Sequence, residues 1–289
     1  MATLNNPFVI YGYKGSEYFC DREEETEKMI SALHNERNVT LVAPRRMGKT
    51  GLVKHVFAKM EKQDKDIKCF YLDIYPAKNL DQMVGMLGSE IIGNLDSVSQ
   101  AAMRRVQEFF SKWRPTLTID EVTGRPTFSL DIRPSEGRET LKQIFEYLGQ
   151  SGKRCYIALD EFKQILDFPE SGVEALIRSY IQFLPDVYFV FSSSQQHMME
   201  EMSLSADRPF FQSSSMMTLS CIDKEKYLDF ANNFFKGQSR AMDEDTFEYI
   251  YDVSDKVTWY VQAILHGIYE HSKDVIDRQL VDDVVREII

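Results

Sequence analysis

The chain has 289 residues, 43% of them hydrophobic and 27% charged, with a net charge of −11. This is the composition of a globular chain of about two domains or one large one, and it gives no global attraction to nucleic acid or anionic lipid. Cys20, Cys69, Cys155 and Cys221 form no Cys-x-x-Cys pair, the histidines show no ligand spacing, and neither a secretory leader nor an apolar run of membrane-spanning length occurs, so buried reduced thiols and a cytoplasmic location without membrane contact are expected.

In chain order, Asp21 to Glu36 reads as a helix, with Asp21 as its cap, Glu23, Glu24 and Glu25 at its positive end, and Met29, Ile30 and Leu33 as its apolar stripe. Asn38 to Ala43 is a short apolar strand, and Gly51 to Glu61 a helix with Leu52, Val56 and Met60 at helical spacing. Lys68 to Tyr75 predicts a second strand, and helices follow at about Leu80 to Leu95 and Ser99 to Trp113. Thr116 to Asp120 and Pro126 to Ile132 alternate with period two around Glu121-Val-Thr-Gly124-Arg125, which predicts a β-hairpin inserted at about 114–134. A helix from Glu136 leads to the strand Arg154–Glu161, a helix from Gly172 to the strand Val187–Ser192, and a short strand lies near Met216 to Leu219. From Asp223 the pattern is helical: Lys224–Phe235, Asp243–Val253, Val257–His271 and Asp274–Ile288. Strands alternating with helices predict an α/β fold, a mainly parallel sheet of about five strands covered on both faces. The domain reading is a nucleotide-binding domain over 1–222 and a helical subdomain over 223–289.

Between the first strand and its helix stands Ala43-Pro44-Arg45-Arg46-Met47-Gly48-Lys49-Thr50, followed by Gly51. The run fits the phosphate-loop pattern [Ala/Gly]-x-x-x-x-Gly-Lys-[Ser/Thr], and strand, loop, helix is the context it requires. Backbone N–H groups must converge on phosphate oxygens at a helix N-terminus, and Gly48 lets the backbone approach closely. Lys49 is expected to reach the β- and γ-phosphates and Thr50 to hold Mg²⁺. Arg45 and Arg46 are open to two readings: contact with nucleotide or a partner, or one exposed and the other packed on a carboxylate.

Tyr156-Ile-Ala-Leu-Asp160-Glu161 is a second motif, an apolar strand delivering two acids to the sheet's carboxyl edge. Asp160 is the candidate Mg²⁺ ligand and Glu161 the candidate base for an attacking water; the plain alternative is a strand whose acids cap a turn. Within the polar run Ser192-Ser193-Ser194-Gln195, Ser194 is the leading candidate to meet the γ-phosphate or the water. Arg208 is a candidate arginine finger and equally an arginine on a solvated loop. Asp73 ends the second strand and either joins the metal's surroundings or caps the following turn.

Together these residues resemble the archaeal-type ATPases, signal-transduction P-loop ATPases related to the AAA+ proteins, and most of all their versions in Bacteroides-type bacteria. The resemblance begins with Asn6-Pro7-Phe8 and Tyr18-Phe19-Cys20-Asp21-Arg22-Glu23-Glu24-Glu25. It continues through Pro44 to Thr50, Leu159-Asp160-Glu161-Phe162, Phe191 to Gln195 and Arg208-Pro209-Phe210, and closes with Val257-Thr258-Trp259-Tyr260-Val261-Gln262. It implies that the Arg22 segment lies near the nucleotide base, that the Ser192 strand runs between the phosphate-loop and Asp160 strands, and that the helical subdomain is a lid. Ala43 and Ser193 stand where relatives carry glycine, and no arginine is evident around Trp259 to act as a second sensor. Many relatives continue into a winged-helix DNA-binding domain, which is not expected before Ile289. The function so implied is a Mg²⁺-dependent ATPase switch whose cofactors are ATP and Mg²⁺, with a protein partner or self-assembly reading its state. The alternatives are a nucleotide-gated interaction module without turnover, a small-molecule kinase, and a DNA-associated ATPase, the last opposed by the net charge. With no Asn-Lys-x-Asp guanine signature, adenine is the expected base.

Overall fold

The computed structural model describes residues 5–95, 115–119, 126–130, 132, 135–195, 199, 205, 210, 214–271 and 275–288. The expected helix at 99–113, the hairpin turn at 121–125 and Arg208 lie outside the described residues. The strands are β1 (Asn38–Val42), β2 (Ile67–Asp73), β3 (Pro115–Ile119), β4 (Pro126–Leu130), β5 (Arg154–Asp160), β6 (Val187–Ser193) and β7 (Ser214–Thr218). The helices are α1 (Glu23–His34), α2 (Lys49–Gln63), α3 (Leu80–Leu95), α4 (Gly137–Gly149), α5 (Val173–Ile181), α6 (Lys224–Phe235), α7 (Glu244–Val253), α8 (Thr258–Glu270) and α9 (Arg278–Ile288). The chain divides into two compact units. One gathers the chain up to Lys28, Ala43–Val56 and Thr218 onward; the other is Met29–Val42 with Phe57–Met217.

The second unit holds a five-stranded sheet in the order β2-β5-β6-β1-β7. β2, β5, β6 and β1 pair in parallel, and β6 runs between β1 and β5 as the resemblance implies. The central strands are buried over almost every residue, which is why they read as continuous apolar runs rather than alternating ones. Their core includes Phe70, Ile157, Leu159, Phe189 and Phe191 from the sheet, Val84, Leu87 and Ile91 from α3, Leu141, Ile144 and Phe145 from α4, and Ile177 from α5. The Asn38 side chain accepts the Phe189 N–H at 2.8 Å where β1 begins. The Asp81 carboxylate on α3 accepts the N–H groups of Ser135 and Gly137 at 2.9 and 2.8 Å, satisfying donors at the start of α4. The expected hairpin is present as the antiparallel pair β3–β4.

The first unit's helices pack around Tyr227, Phe235, Phe247, Ile250, Val261, Leu265, Leu280 and Val281, together with Phe8. Phe8 is fully buried, surrounded by the rings of Phe230, Phe234, Phe235 and Tyr269. His266 and Asn6 hold its backbone: His266 Nδ1 lies 2.7 Å from the Phe8 carbonyl oxygen, and Asn6 Oδ1 accepts the Phe8 N–H at 3.1 Å while its Nδ2 donates to the His266 carbonyl at 3.0 Å. Asp223 and Asp243 cap α6 and α7 by accepting first-turn N–H groups.

Several boundaries differ from the sequence reading. α2 starts at Lys49, two residues early, because the Gly48 carbonyl already accepts the Leu52 N–H at 2.9 Å. α9 starts at Arg278 rather than Asp274, after an Asp277 carboxylate that accepts the Leu280 N–H at 2.9 Å. The four cysteines are free; Cys20 and Cys155 are buried, but Cys221 is exposed, against the expectation of buried thiols.

Gly267 on α8 lies against α9, where an added Cβ would come within 2.5 Å of Val284 Cγ1. Gly267→Ala is expected to lower stability by about 1–3 kcal/mol through overpacking, read as a lower urea midpoint at unchanged m-value.

Candidate functional site

The phosphate loop follows β1 without a break, Ala43 coming directly after Val42, and α2 begins at Lys49. Its backbone alternates in handedness. Arg46 has φ of +69° and Gly48 +94°, with Met47 between them outside the positive-φ region. Such alternation makes successive N–H groups converge, the geometry of an anion nest. A Cβ added at Gly48 would meet nothing within 4 Å, so glycine is required there by the backbone angle, and the space beside it is open. The first turn of α2 carries no acidic residue, so its positive end is not neutralised by its own side chains.

Protein donors hold the carbonyls of this loop. Lys49 Nζ donates to Ala43 and Pro44 oxygens at 2.8 and 3.1 Å. The Trp259 N–H donates to the Arg46 oxygen at 3.0 Å. Arg22 Nη2 donates to the Ser220 oxygen at 2.7 Å and reaches the Met47 oxygen at 3.5 Å, while its Nη1 pairs with Glu25 at 2.8 Å. A trans peptide points its N–H opposite to its C=O, and among the described residues no peptide is cis. The donors on Arg46 and Met47 therefore turn the N–H groups of Met47 and Gly48 away from Trp259 and Arg22. Arg22 is buried and reaches the loop as a strut on its backbone.

Arg46 departs from the carboxylate reading. Its guanidinium lies 4.8 Å from the Trp259 ring centroid and 4.9 Å from that of Tyr260, and Nη1 donates to the Tyr260 hydroxyl. Arg45 is exposed, Ala43 and Met47 are buried, and Thr50 is half-buried on the first turn of α2. Gly51 leaves room for Phe19, whose Cε2 would be 3.2 Å from an added Cβ. Phe19 also stacks on His55 with centroids 4.5 Å apart.

In the sheet unit, parallel register sets the acids. Asp73 pairs with Asp160 across β2 and β5, and Leu159 with Phe191 across β5 and β6. Asp160 is buried; its Oδ1 accepts from Ser192 Oγ at 2.5 Å and from the Glu161 N–H at 3.0 Å, and its Oδ2 accepts from the Tyr71 hydroxyl. Glu161 sits in the left-handed region, φ +52°, and its Oε2 accepts from Ser194 Oγ at 3.0 Å. The polar run after β6 is thereby sorted: Ser192 serves Asp160, Ser194 serves Glu161, and Ser193 Oγ accepts the Gln195 N–H at 3.2 Å. Asp73 accepts the Tyr75 N–H at 2.9 Å as a turn cap. Burial is the main cause holding its carboxyl above the ordinary range, with Asp160 and Glu161 adding to it against that hydrogen bond. Tyr71 escaped the sequence reading, yet parallel register with Asp73 opposite Asp160 puts it two residues back on the same face, within reach of a long phenol.

A buried, oriented, acceptor-only carboxylate is the donor Mg²⁺ takes. Among the described residues no group of three or more His, Cys, Asp or Glu gathers as a metal cage. The residues present fit Mg²⁺.

No helix among the described residues is long and apolar enough to cross a membrane. A comparison with curated proteins finds no match. Among solved structures, the Walker-type ATPase PABY2304 of Pyrococcus abyssi is similar with a TM-score of 0.68 at 16% identity, over 98% of this chain and 76% of that one. The Aeropyrum pernix ORC1 protein, solved in complex with DNA, gives 0.65 at 14% identity, over 98% and 69%. The Thermotoga maritima RuvB Holliday junction branch migration motor gives 0.54 at 12%, over 95% and 72%. At these identities the likeness is one of fold. The model of an ATPase domain predominantly from Archaea matches residues 19–264, and the chain belongs to that family.

Proposed function

We propose that the protein binds Mg·ATP at the phosphate loop, hydrolyses it, and uses the cycle as a conformational switch. The observation that carries this reading is the loop itself: alternating φ at Arg46, Met47 and Gly48, opening onto an α2 N-terminus free of acids. Lys49 leaves its carbonyls for the β- and γ-phosphates. Thr50 and Asp160 are the residues that would hold Mg²⁺, which would supply neutralisation of the charge developing on the phosphates. Glu161 accepts the proton of the attacking water, and Ser194 fixes the direction of its carboxylate. Arg208 is the proposed source of positive charge toward the transition state. Nucleotide occupancy changes the helical C-terminal segment, which a protein partner or a second copy reads, and the cytoplasm is the proposed compartment. DNA is the weaker candidate partner at a net charge of −11.

A second reading, a nucleotide-gated module without turnover, is favoured by the engagement of the Glu161 carboxylate by Ser194. Steady-state phosphate release separates the two. Hydrolysis predicts a fall of about a hundredfold or more in Glu161→Gln with ATP affinity retained, whereas equal rates in both proteins remove Glu161 from the chemistry. Lys49→Ala is expected to abolish ATP binding measured by calorimetry; unchanged affinity would sink the site. Tyr71→Phe should raise the Mg²⁺ concentration giving half-maximal phosphate release by about tenfold, since it loosens a metal ligand from behind, and direct Mn²⁺ binding should weaken in parallel.

A further inference from the structure

We infer that Trp259 and Tyr260 are positioning residues for the phosphate loop and that Arg46 is the handle by which they hold it. The loop carries arginine at a position whose backbone is left-handed, φ +69°, a conformation that a side chain disfavours and that local sequence does not maintain. Four contacts from the start of α8 hold it there. The Trp259 N–H, one of the donors a helix leaves without an intrahelical partner, is taken by the Arg46 carbonyl at 3.0 Å. The Arg46 guanidinium lies over both the Trp259 and Tyr260 rings, and Nη1 donates to the Tyr260 hydroxyl. Trp259 is fixed in turn, its Nε1 donating to the Ile10 carbonyl at 3.2 Å.

Two details mark this as more than incidental packing. α8 has no side-chain cap of its own, since its N-cap residue is Val257, so a loop carbonyl performs the capping. A cation beside a helix N-terminus also opposes the helix dipole, and the two aromatic faces supply the compensating attraction. The same peptide unit carries the Arg46 carbonyl at one end and the Met47 N–H at the other. An anion accepted by that N–H polarises the unit and strengthens the bond to Trp259. Phosphate binding and the capping of α8 thus share one peptide group, and Arg46 keeps that group in place rather than reaching for the nucleotide.

The ligand half of this inference rests on the phosphate-site reading; the ligand-free half does not. In a Trp113→Phe background, where Trp259 is the remaining tryptophan, ADP should change the emission of Trp259 and slow hydrogen exchange at its amide. Arg46→Ala and Tyr260→Ala should weaken ADP binding by about two- to fivefold, the scale of an exposed cation–π contact. Arg46→Lys should recover part of that loss. Without ligand, Arg46→Ala should exchange the Trp259 amide severalfold faster while its far-ultraviolet circular dichroism stays that of the parent. If the parent binds no ADP, the phosphate-site reading fails, and the ligand-free exchange rate alone decides the positioning role. Arg46→Ala with parental ADP affinity, or with parental exchange at Trp259, overturns the inference; if Arg46→Ala does not fold, Arg46→Lys and Tyr260→Ala decide it by the same two measurements.

Discussion

The left-handed peptide at Arg46 is a constraint that local preference cannot maintain. An L-residue there costs roughly 1–2 kcal/mol, and Gly48, at φ +94°, is tolerable only because it has no side chain. Three residues of the first unit hold this stretch. Arg22 comes from the chain's opening segment, Trp259 from near its end, and Lys49 from within the loop, and each takes a loop carbonyl. None of these bonds is strong alone, at about 0.5–1.5 kcal/mol net for a neutral pair and somewhat more for a charged donor. Together they are comparable with the cost of the backbone they restrain.

The sheet unit follows a different logic. Its strands β2, β5, β6 and β1 are paired in parallel, and β5 and β6 are buried over almost every residue, so the polar residues that matter here lie at their carboxyl ends. There Asp160 accepts from Ser192, Tyr71 and its neighbour's amide. A buried carboxylate needs such donors, because an ionised group removed from water without them is costly. Hydrogen bonds that make its burial tolerable also fix its direction, so the same contacts serve stability and the proposed chemistry. Glu161, half-exposed and one residue further on, is aimed by a single hydroxyl.

Much of this was legible in the sequence because it is local. The phosphate loop, the acids ending β5, the β3–β4 hairpin and the C-terminal helices each depend on spacing within about twenty residues. The strand order entered only through the family resemblance. What stayed hidden needs two distant segments at once. Arg46 and Tyr260 are 214 positions apart, and Arg22 and Ser220 are 198 apart, so no periodicity links them. Tyr71 lies inside the strand Lys68 to Tyr75, and only the parallel register of β2 with β5 brings it to Asp160. The early start of α2 at Lys49 and the late start of α9 at Arg278 turned on single capping hydrogen bonds, which propensity does not resolve.

The position of Phe8 bears on how the protein is made. Its ring fills the core of helices that follow more than two hundred residues later, and its carbonyl meets a histidine 258 positions away. During translation Phe8 leaves the ribosome well before Tyr269, whose emergence completes the ring of aromatics around it. At ordinary elongation rates the segment waits on the order of tens of seconds with an aromatic ring uncovered. The sheet core, lying wholly between Val42 and Phe210, can form in that interval. The helical core closes after it, around a residue synthesised more than two hundred positions ahead of the helices that cover it.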